Sequence, residues 1–551
     1  MGTSPTPSVR FRFRGRERRA APGSSLAVAL ADGRSPLLQR SVRYHRPRAP
    51  FCGIGACTQC LVRVNGVPNV RACRTVVREG DVVGTENAWP SPAFDLWGVL
   101  DLLFPGGIDS VRGFRRPAFA RRLYQRVVRG LAAFGRIPDA PSGAPAAPAT
   151  LRRTPFLVVG AGGAGRAAAA RLVDGGVRPL LLDRGPIEGA PEGVELLPRT
   201  AAVFLPSPRP GAAAPFDVLA ASDDGAPVRV AAERVLVATG AYDAGLWLAN
   251  GERPGVLTAE GALALEAAAG RAPFRRGVLF GGGSRAAELL ERWDERVEAV
   301  VAPGAIEPAV VRAAADRGVP LHPRSLVRGV VGRRRVRAVS LKGRGRGATT
   351  RLEADALVLA HRRIPHVQLL FQAGARMRWS ARPGAYVPEQ ERGATSVPGL
   401  YVAGEAAGLP DRAAAADAGR RAAERALEGG PAPSDFPAPG PEGPAEMEGY
   451  YRELLADGLG GGRWIACACE DIQVGELLDA GARGYRGLEV VKRYTGVGTG
   501  LCQGRYCLPE AILVLARSEG RPPPEVGYIT QRPPVFPVRL DTLARAPPPE
   551  A

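Results

Sequence analysis

Lysine is nearly missing from this chain. Lys342 and Lys492 are its two lysines, so 72 of the 74 basic residues are arginine. No run of about 18 apolar residues occurs, which excludes a membrane-spanning helix. The best candidate, FDLWGVLDLLF (94–104), is too short and carries Asp95 and Asp101. The N-terminal MGTSPTPSVRFRFRGRERR is basic but adjoins no long apolar segment, so no secretory signal is expected. Gly2 and Thr6 fit a myristoylation pattern, but so short a pattern recurs by accident. Histidine is scarce: His45, His322, His361 and His366 are the four present, and each reads as structural. With no acid–base pair and no Ser or Asp nucleophile motif in view, no catalytic residue is assigned to this chain. The formal net charge of +20 raises the question of nucleic acid. Apart from VGRRRVR (331–337) the arginines are scattered, so the charge reads as a solvated surface, with an acidic protein partner as the second reading and no nucleic acid. Cysteine is absent from the 393 residues between Cys73 and Cys467. A disulfide framework would spread through a small secreted chain. Two local quartets in a large chain instead suggest two metal sites in a reducing cytoplasm, with attachment to a membrane surface left open.

What is present falls into five stretches. Residues 1–105 alternate short β-like runs with turns, and 106–150 hold a helical segment and a Pro/Ala linker. Apolar strands alternate with Ala-rich helices over 151–428, the pattern of a parallel α/β sheet, with an inserted domain at about 252–370. A second linker spans 429–446, and 447–551 hold helices, the second quartet and a Pro-rich tail.

The first quartet, Cys52, Cys57, Cys60 and Cys73, is spaced C-x4-C-x2-C and then twelve residues. A [2Fe–2S] cluster needs four thiolates around two irons, three of them on a loop close enough for backbone N–H groups to reach sulfur. Gly53, Gly55 and Ala56 permit that approach. The fourth ligand would arrive on the hairpin LVRVNGVPNVRAC, where Asn65-Gly66 signals the turn. Structural zinc, usually built from paired C-x2-C knuckles, is the rival. The pattern resembles the ferredoxin-like domains of succinate dehydrogenase iron–sulfur subunits and molybdenum hydroxylases.

The second quartet is Cys467 and Cys469 (C-x-C), then 32 residues, then Cys502 and Cys507 (C-x4-C). Cys507 runs into LPEAILVLARSEG and should sit at a helix N-terminus, which favours an anionic cluster. Lys492, Arg493 and Arg505 would add positive charge, and zinc is a stronger rival here. CACEDI…KRYTGVGTGLCQGRYC resembles the [2Fe–2S] domain of bacterioferritin-associated ferredoxin, which tips the expectation toward iron–sulfur.

TPFLVVGAGGAGRAAAARLVDGGVRPLLLDRG reads as strand, glycine turn, helix and second strand. Gly160 would permit the tight turn, Gly162 the approach of a pyrophosphate, and Gly165 the packing of helix on strand, with Asp183 on the ribose. Two later stretches, with Thr239 and Gly240 in VLVATGAY and Gly404 and Glu405 in LYVAGEAAG, resemble the flavoprotein disulfide-reductase superfamily, where they close over FAD. That superfamily usually has Asp where Glu405 stands. A second glycine turn at Gly281, Gly283 and Ala286 sits where it carries an inserted NAD domain. The strand after it ends with neither an acid for NAD nor an arginine for NADP, so the weight is against NAD(P) binding. Only about fifty residues separate Asp183 from VLVATG, fewer than the superfamily usually has, and no redox CxxC occurs in this region.

Taken in order, these parts resemble the FAD and iron–sulfur subunit of opine oxidases, hydrogen cyanide synthase and hydroxyproline (proline) dehydrogenases, fused to its ferredoxin-like small subunit. Sarcosine oxidase α is a more distant relative. The resemblance implies a multidomain α/β and α+β chain. Its parts would be an N-terminal β-grasp ferredoxin-like domain, an FAD/NAD(P) two-dinucleotide-binding-domain flavoprotein fold, and a small helical [2Fe–2S] domain at the C-terminus. It implies FAD and two [2Fe–2S] clusters, leaves FMN at a subunit interface open, and places oxidation of a small-molecule amine or amino acid on a partner flavoprotein of the D-amino-acid-oxidase type. The alternative is a self-sufficient NAD(P)H-dependent reductase.

Overall fold

The computed structural model describes residues 8–31, 36–103, 117, 119, 122, 148–343, 349–409, 413–436, 446–458 and 464–548. The expected helical segment and Pro/Ala linker of 106–150 lie almost wholly outside the described residues, as do Gly2, Thr6 and part of the second linker. The chain packs as two compact units. One comprises residues 1–142, 243–362 and 446–528, and the other residues 143–242, 363–445 and 529–551. Among the described residues no helix is long and apolar enough to cross a membrane.

In the first unit the N-terminal residues form a five-stranded sheet. Its order is Arg16–Ala20, Val9–Phe13, Val82–Thr85, Leu61–Val64, Val67–Arg71. Val9–Phe13 runs parallel to Val82–Thr85 while the hairpin neighbours are antiparallel. Parallel strands need a crossover between them, and the cysteine loop lies within that crossover. Asn65 and Gly66 take positive φ (+49° and +83°) between paired Val64 and Val67, the two-residue turn that the sequence signals. The insert is a five-stranded parallel sheet, Val256–Thr258, Ala356–Leu359, Gly277–Phe280, Val297–Val301 and Leu321–His322. Its strands are nearly all apolar because both faces are buried. One core serves both parts: Phe11, Leu26, Val62 and Val83 pack with Leu257, Leu265, Phe274 and Trp293. The C-terminal part of this unit is a short hairpin, Ile465–Cys467 with Ile472–Gln473, and the helices Val474–Ala482, Leu488–Thr495 and Leu508–Glu519.

The second unit is built on a sheet ordered Glu195–Leu197, Leu180–Leu182, Thr150–Val159, Pro227–Val237, Leu400–Val402 and on to an edge hairpin. The first five of these strands are parallel where they pair. The helix Gly163–Asp174 follows the central strand and packs against Ala415–Glu428. Alanine allows this closeness: Ala168, Ala169, Ala422, Ala423 and Ala426 are fully buried in the contact. A Cβ on Gly419 would lie 2.0 Å from the Ala164 carbonyl oxygen, so only glycine fits there.

Candidate functional site

The first quartet sits on a loop seated against the insert. Gly53 and Gly55 take positive φ (+65° and +72°), which turns the loop around its sulfurs. The loop rests in a notch: the Thr258 N–H donates to the Phe51 carbonyl at 3.1 Å, and a Cβ on Gly261 would lie 2.1 Å from that oxygen. Cys52, Cys57 and Cys60 are buried, and Cys73 is partly so. Cys52 is hydrogen-bonded to Cys57 and Cys73, and Cys73 to Cys60. The Cys57 N–H donates to Cys52 Sγ at 3.4 Å, and the Ile54 and Gln59 backbones serve Cys52 and Cys57. Hydrogen bonding to Cys52 and burial push the Cys57 thiol well up. At Cys52 burial is outweighed by the hydrogen bonds from Cys57 and Cys73, which hold it low. The charge of Arg71 helps lower Cys60, after the larger effect of its hydrogen bond with Cys73.

The second quartet is wholly buried. Cys467 is hydrogen-bonded to Cys469 and Cys507, and Cys469 to Cys502. Gly498 serves both Cys467 and Cys507 through its backbone, and Glu470 and Gly504 serve Cys467 and Cys502. A Cβ on Gly500 would fall 2.4 Å from the Cys469 Cβ, so this turn closes over sulfur only as glycine. Cys507 is the N-cap of Leu508–Glu519, at the positive end of that helix. Of the three basic residues named from the sequence, only Arg505 faces the sulfurs. It is 1% exposed, donates to the Cys502 carbonyl at 3.1 Å, and helps lower that thiol after the hydrogen bond with Cys469. Lys492 and Arg493 instead pair with Glu489 at 3.2 and 3.3 Å, which removes them from the cluster's account.

Four thiolates in so dry a place need a cationic group to balance them. Among the described residues no three Cys, His, Asp or Glu side chains are grouped as ligands to one metal ion. The sulfurs make contacts in pairs, each with backbone N–H support. That arrangement suits a two-iron cluster, which divides its thiolates between two metals, better than a single tetrahedral zinc.

In the second unit the eight dinucleotide-site residues come together at one end of the sheet. A Cβ on Gly160 would lie 2.3 Å from the Ala238 carbonyl oxygen, and one on Gly165 only 1.7 Å from the Gly160 carbonyl oxygen. Gly162 is the N-cap of Gly163–Asp174, and a Cβ there would meet nothing within 4 Å. The turn is thus closed where helix meets strand and open where a pyrophosphate would approach. Asp183 accepts from the Ala161 N–H at 2.7 Å and the Gly185 N–H at 2.6 Å, bracing the turn. Thr239 donates to the His366 carbonyl at 2.8 Å. Gly404 sits against Ala164, and Gly240 faces Glu405. Glu405 is held by a residue the motifs did not reveal: Arg363 Nε lies 2.6 Å from Oε1 and Nη2 3.2 Å from Oε2. The longer acid therefore has a partner of its own.

The second glycine turn is filled. Gly283, the counterpart of Gly162, caps Ser284–Trp293, but a Cβ there would lie 3.3 Å from a carboxylate oxygen of Glu307. Neighbouring Gly282 is packed against Ala302, Ala305 and Ile306, and the Glu307 N–H bonds its carbonyl at 2.8 Å. The chain's own acid stands at the helix N-terminus that would attract a phosphate.

Residues 6–88 match the model of the 2Fe–2S iron–sulfur cluster binding domain, residues 212–419 that of the pyridine nucleotide-disulphide oxidoreductases, and residues 461–546 that of the sarcosine oxidase A3 domain. The alpha chain of sarcosine oxidase from Rhizobium meliloti is 28% identical over 97% of this chain, which spans only 57% of that protein. The larger-scale match to opine oxidase from Agrobacterium tumefaciens, in its OoxA-type component, is 27% identical over 71% of this chain and 92% of that protein's length. HcnA, a component of hydrogen cyanide synthase from Pseudomonas aeruginosa, is 57% identical over 69 residues, 11% of this chain and 66% of HcnA. L-proline dehydrogenase from P. horikoshii has a similar fold, with a TM-score of 0.66 at 19% identity over 98% of both chains. The resemblance carried by the motifs holds: this chain is an oxidoreductase-type flavoprotein with a ferredoxin-like [2Fe–2S] domain, and it fits the family that includes these components of opine oxidase, hydrogen cyanide synthase and sarcosine oxidase.

Proposed function

We propose that this chain is the electron-transfer subunit of a heteromeric amine or amino-acid dehydrogenase, acting on CH–NH or CH–NH2 donors. The substrate would be oxidised on a partner flavoprotein of the D-amino-acid-oxidase type. The observation that carries this reading is the pair of buried cysteine quartets in a chain that also builds an open dinucleotide turn at Gly162. When bound, FAD supplies two-electron chemistry and [2Fe–2S] clusters supply one-electron steps. Cys52, Cys57, Cys60 and Cys73 would hold one cluster, and Cys467, Cys469, Cys502 and Cys507 the other. Arg505 and Arg71 offset the charge of the thiolates and favour electron uptake. Gly160, Gly162 and Gly165 shape the turn for a pyrophosphate, and Asp183 fixes that turn and faces the ribose. Thr239, Gly240, Gly404 and Glu405 close the same end of the sheet, with Arg363 orienting Glu405. The presence of FMN at a subunit interface belongs to the same proposal.

The rival reading, an NAD(P)H-dependent reductase, is opposed by Glu307, which sets a negative charge where the insert would take a nucleotide phosphate. The test is anaerobic. The full chain, loaded with flavin and iron, is mixed with amino acids and N-methyl amines, with and without the flavoprotein that co-purifies from its native cell. Its absorbance should bleach only when substrate and partner are both present, and NADH alone should leave it unchanged. Fast bleaching by NADH without a partner would replace this reading with the rival one.

A further inference from the structure

The two cysteine quartets are separated by 393 residues of chain, yet both lie in the same compact unit. A cavity of about 50 Å³ is walled by Cys57 from the first quartet and by all four cysteines of the second. Phe51 and Tyr506 complete the wall. Each is the chain neighbour of a cysteine, Cys52 in one case and Cys507 in the other. Their rings meet edge to face, with centroids 5.3 Å apart and planes at 83°.

This wall is fixed from both sides. The Phe51 carbonyl is held by Thr258 and pressed on Gly261. The Tyr506 carbonyl abuts Gly245, where a Cβ would lie 2.7 Å from it. The same seam is clamped nearby by Asp471, which is wholly buried, binds the Arg48 guanidinium and accepts the Arg43 and Tyr44 N–H groups at 2.9 and 3.1 Å. Two charged groups set this close in a dry interior interact strongly. Electron tunnelling falls exponentially with the gap and passes more readily through packed matter than through open space.

We propose that the two quartets form one electron-sharing pair. The iron–sulfur groups they hold exchange a single electron directly across the Phe51–Tyr506 wall, one centre being oxidised as the other is reduced, without a flavin between them. No bond is made or broken and no proton is required. The electron enters from a reduced flavin, or from dithionite in the test. The inference rests on reading the second quartet as a [2Fe–2S] site.

The experiment uses the full chain, prepared anaerobically. Iron, acid-labile sulfide and zinc are measured first, then the protein is reduced fully with dithionite for electron paramagnetic resonance. Iron and sulfide should match two clusters, and the reduced spectrum should be split or broadened by spin–spin interaction and relax fast. In Cys502→Ser, and independently in Cys57→Ser, the splitting should be lost and the remaining signal should sharpen. Full iron content with two unbroadened signals that simply add would overturn the proposal while leaving the electron-transfer reading intact. Zinc in the second quartet, with iron for one cluster only, would overturn both, and the metal analysis separates that case before any spectrum is taken. The wild-type spectrum decides the matter even where a cysteine variant does not fold.

Discussion

One methyl group at each of two glycines distinguishes folding from binding in the dinucleotide turn. At Gly165 a Cβ would overlap the Gly160 carbonyl oxygen, whereas at Gly162 it would meet nothing. Gly165→Ala should therefore destabilise the protein by about 1–3 kcal/mol or more, the ordinary cost of overpacking, seen as a lowered midpoint in urea. Gly162→Ala should unfold at the wild-type midpoint yet purify with less flavin, because its methyl crowds the phosphate approach. Equal flavin content in Gly162→Ala and wild type would remove Gly162 from the site. His361 gives a second residue-scale case. Both ring nitrogens are shielded from solvent, and burial, with the Arg362 charge, drives its pKa well below the usual value. The unfolded chain protonates this ring below about pH 6.5, and the folded protein does not. Its contribution is thus complete above that pH and is lost as pH falls toward the folded pKa, by up to about 1.4 kcal/mol per pH unit. The stability difference between wild type and His361→Phe should follow that slope between about pH 6.5 and 5; parallel stability curves would exclude it.

At the scale of elements, the cysteine loops depend on what grips them. The stretch before the first quartet binds the hairpin of the second through Arg48 and Asp471, whose side chains are 2% and 0% exposed. Arg43 adds a pair with Glu476 at 3.0 Å. Breaking a buried ion pair from one side leaves the other charge stranded, which costs about 3–5 kcal/mol. Asp471→Ala should lower the unfolding free energy by that amount in chemical denaturation. The double variant Arg48→Met/Asp471→Leu should recover much of the loss, since apolar replacement of a buried pair is often neutral. A loss below about 1 kcal/mol in the single variant would show that water reaches the pair.

For the whole molecule, the division into two units has a functional counterpart. The unit of residues 1–142, 243–362 and 446–528 carries every cysteine, and the unit of residues 143–242, 363–445 and 529–551 carries the open dinucleotide turn. Iron–sulfur and flavin occupancy should therefore respond to separate variants. Cys502→Ser should reduce iron content and leave flavin content unchanged, while Gly162→Ala should do the reverse, as read by metal analysis and by flavin fluorescence after denaturation. The chain also spans only 57% of its sarcosine oxidase relative, and in the proposed complex the chemistry on substrate falls to a partner.

The spacing C-x4-C-x2-C, the Asn65-Gly66 turn and the strand–turn–helix around Gly160 were all legible in the chain, because each is local. A few residues of backbone have limited reach, so their side chains and turns are set by near neighbours. Cys507 at a helix start and Ala-rich helices for close packing follow from the same short-range rules. Four things needed the folded molecule: the meeting of the two quartets at one cavity, Glu307 in the second glycine turn, Arg363 on Glu405, and Asp471 under Arg48. Each joins residues from about 24 to more than 400 positions apart, and spacing places no limit on such partners. Only the packing of apolar faces, which decides which loops lie side by side, brings those charges and sulfurs within reach of one another.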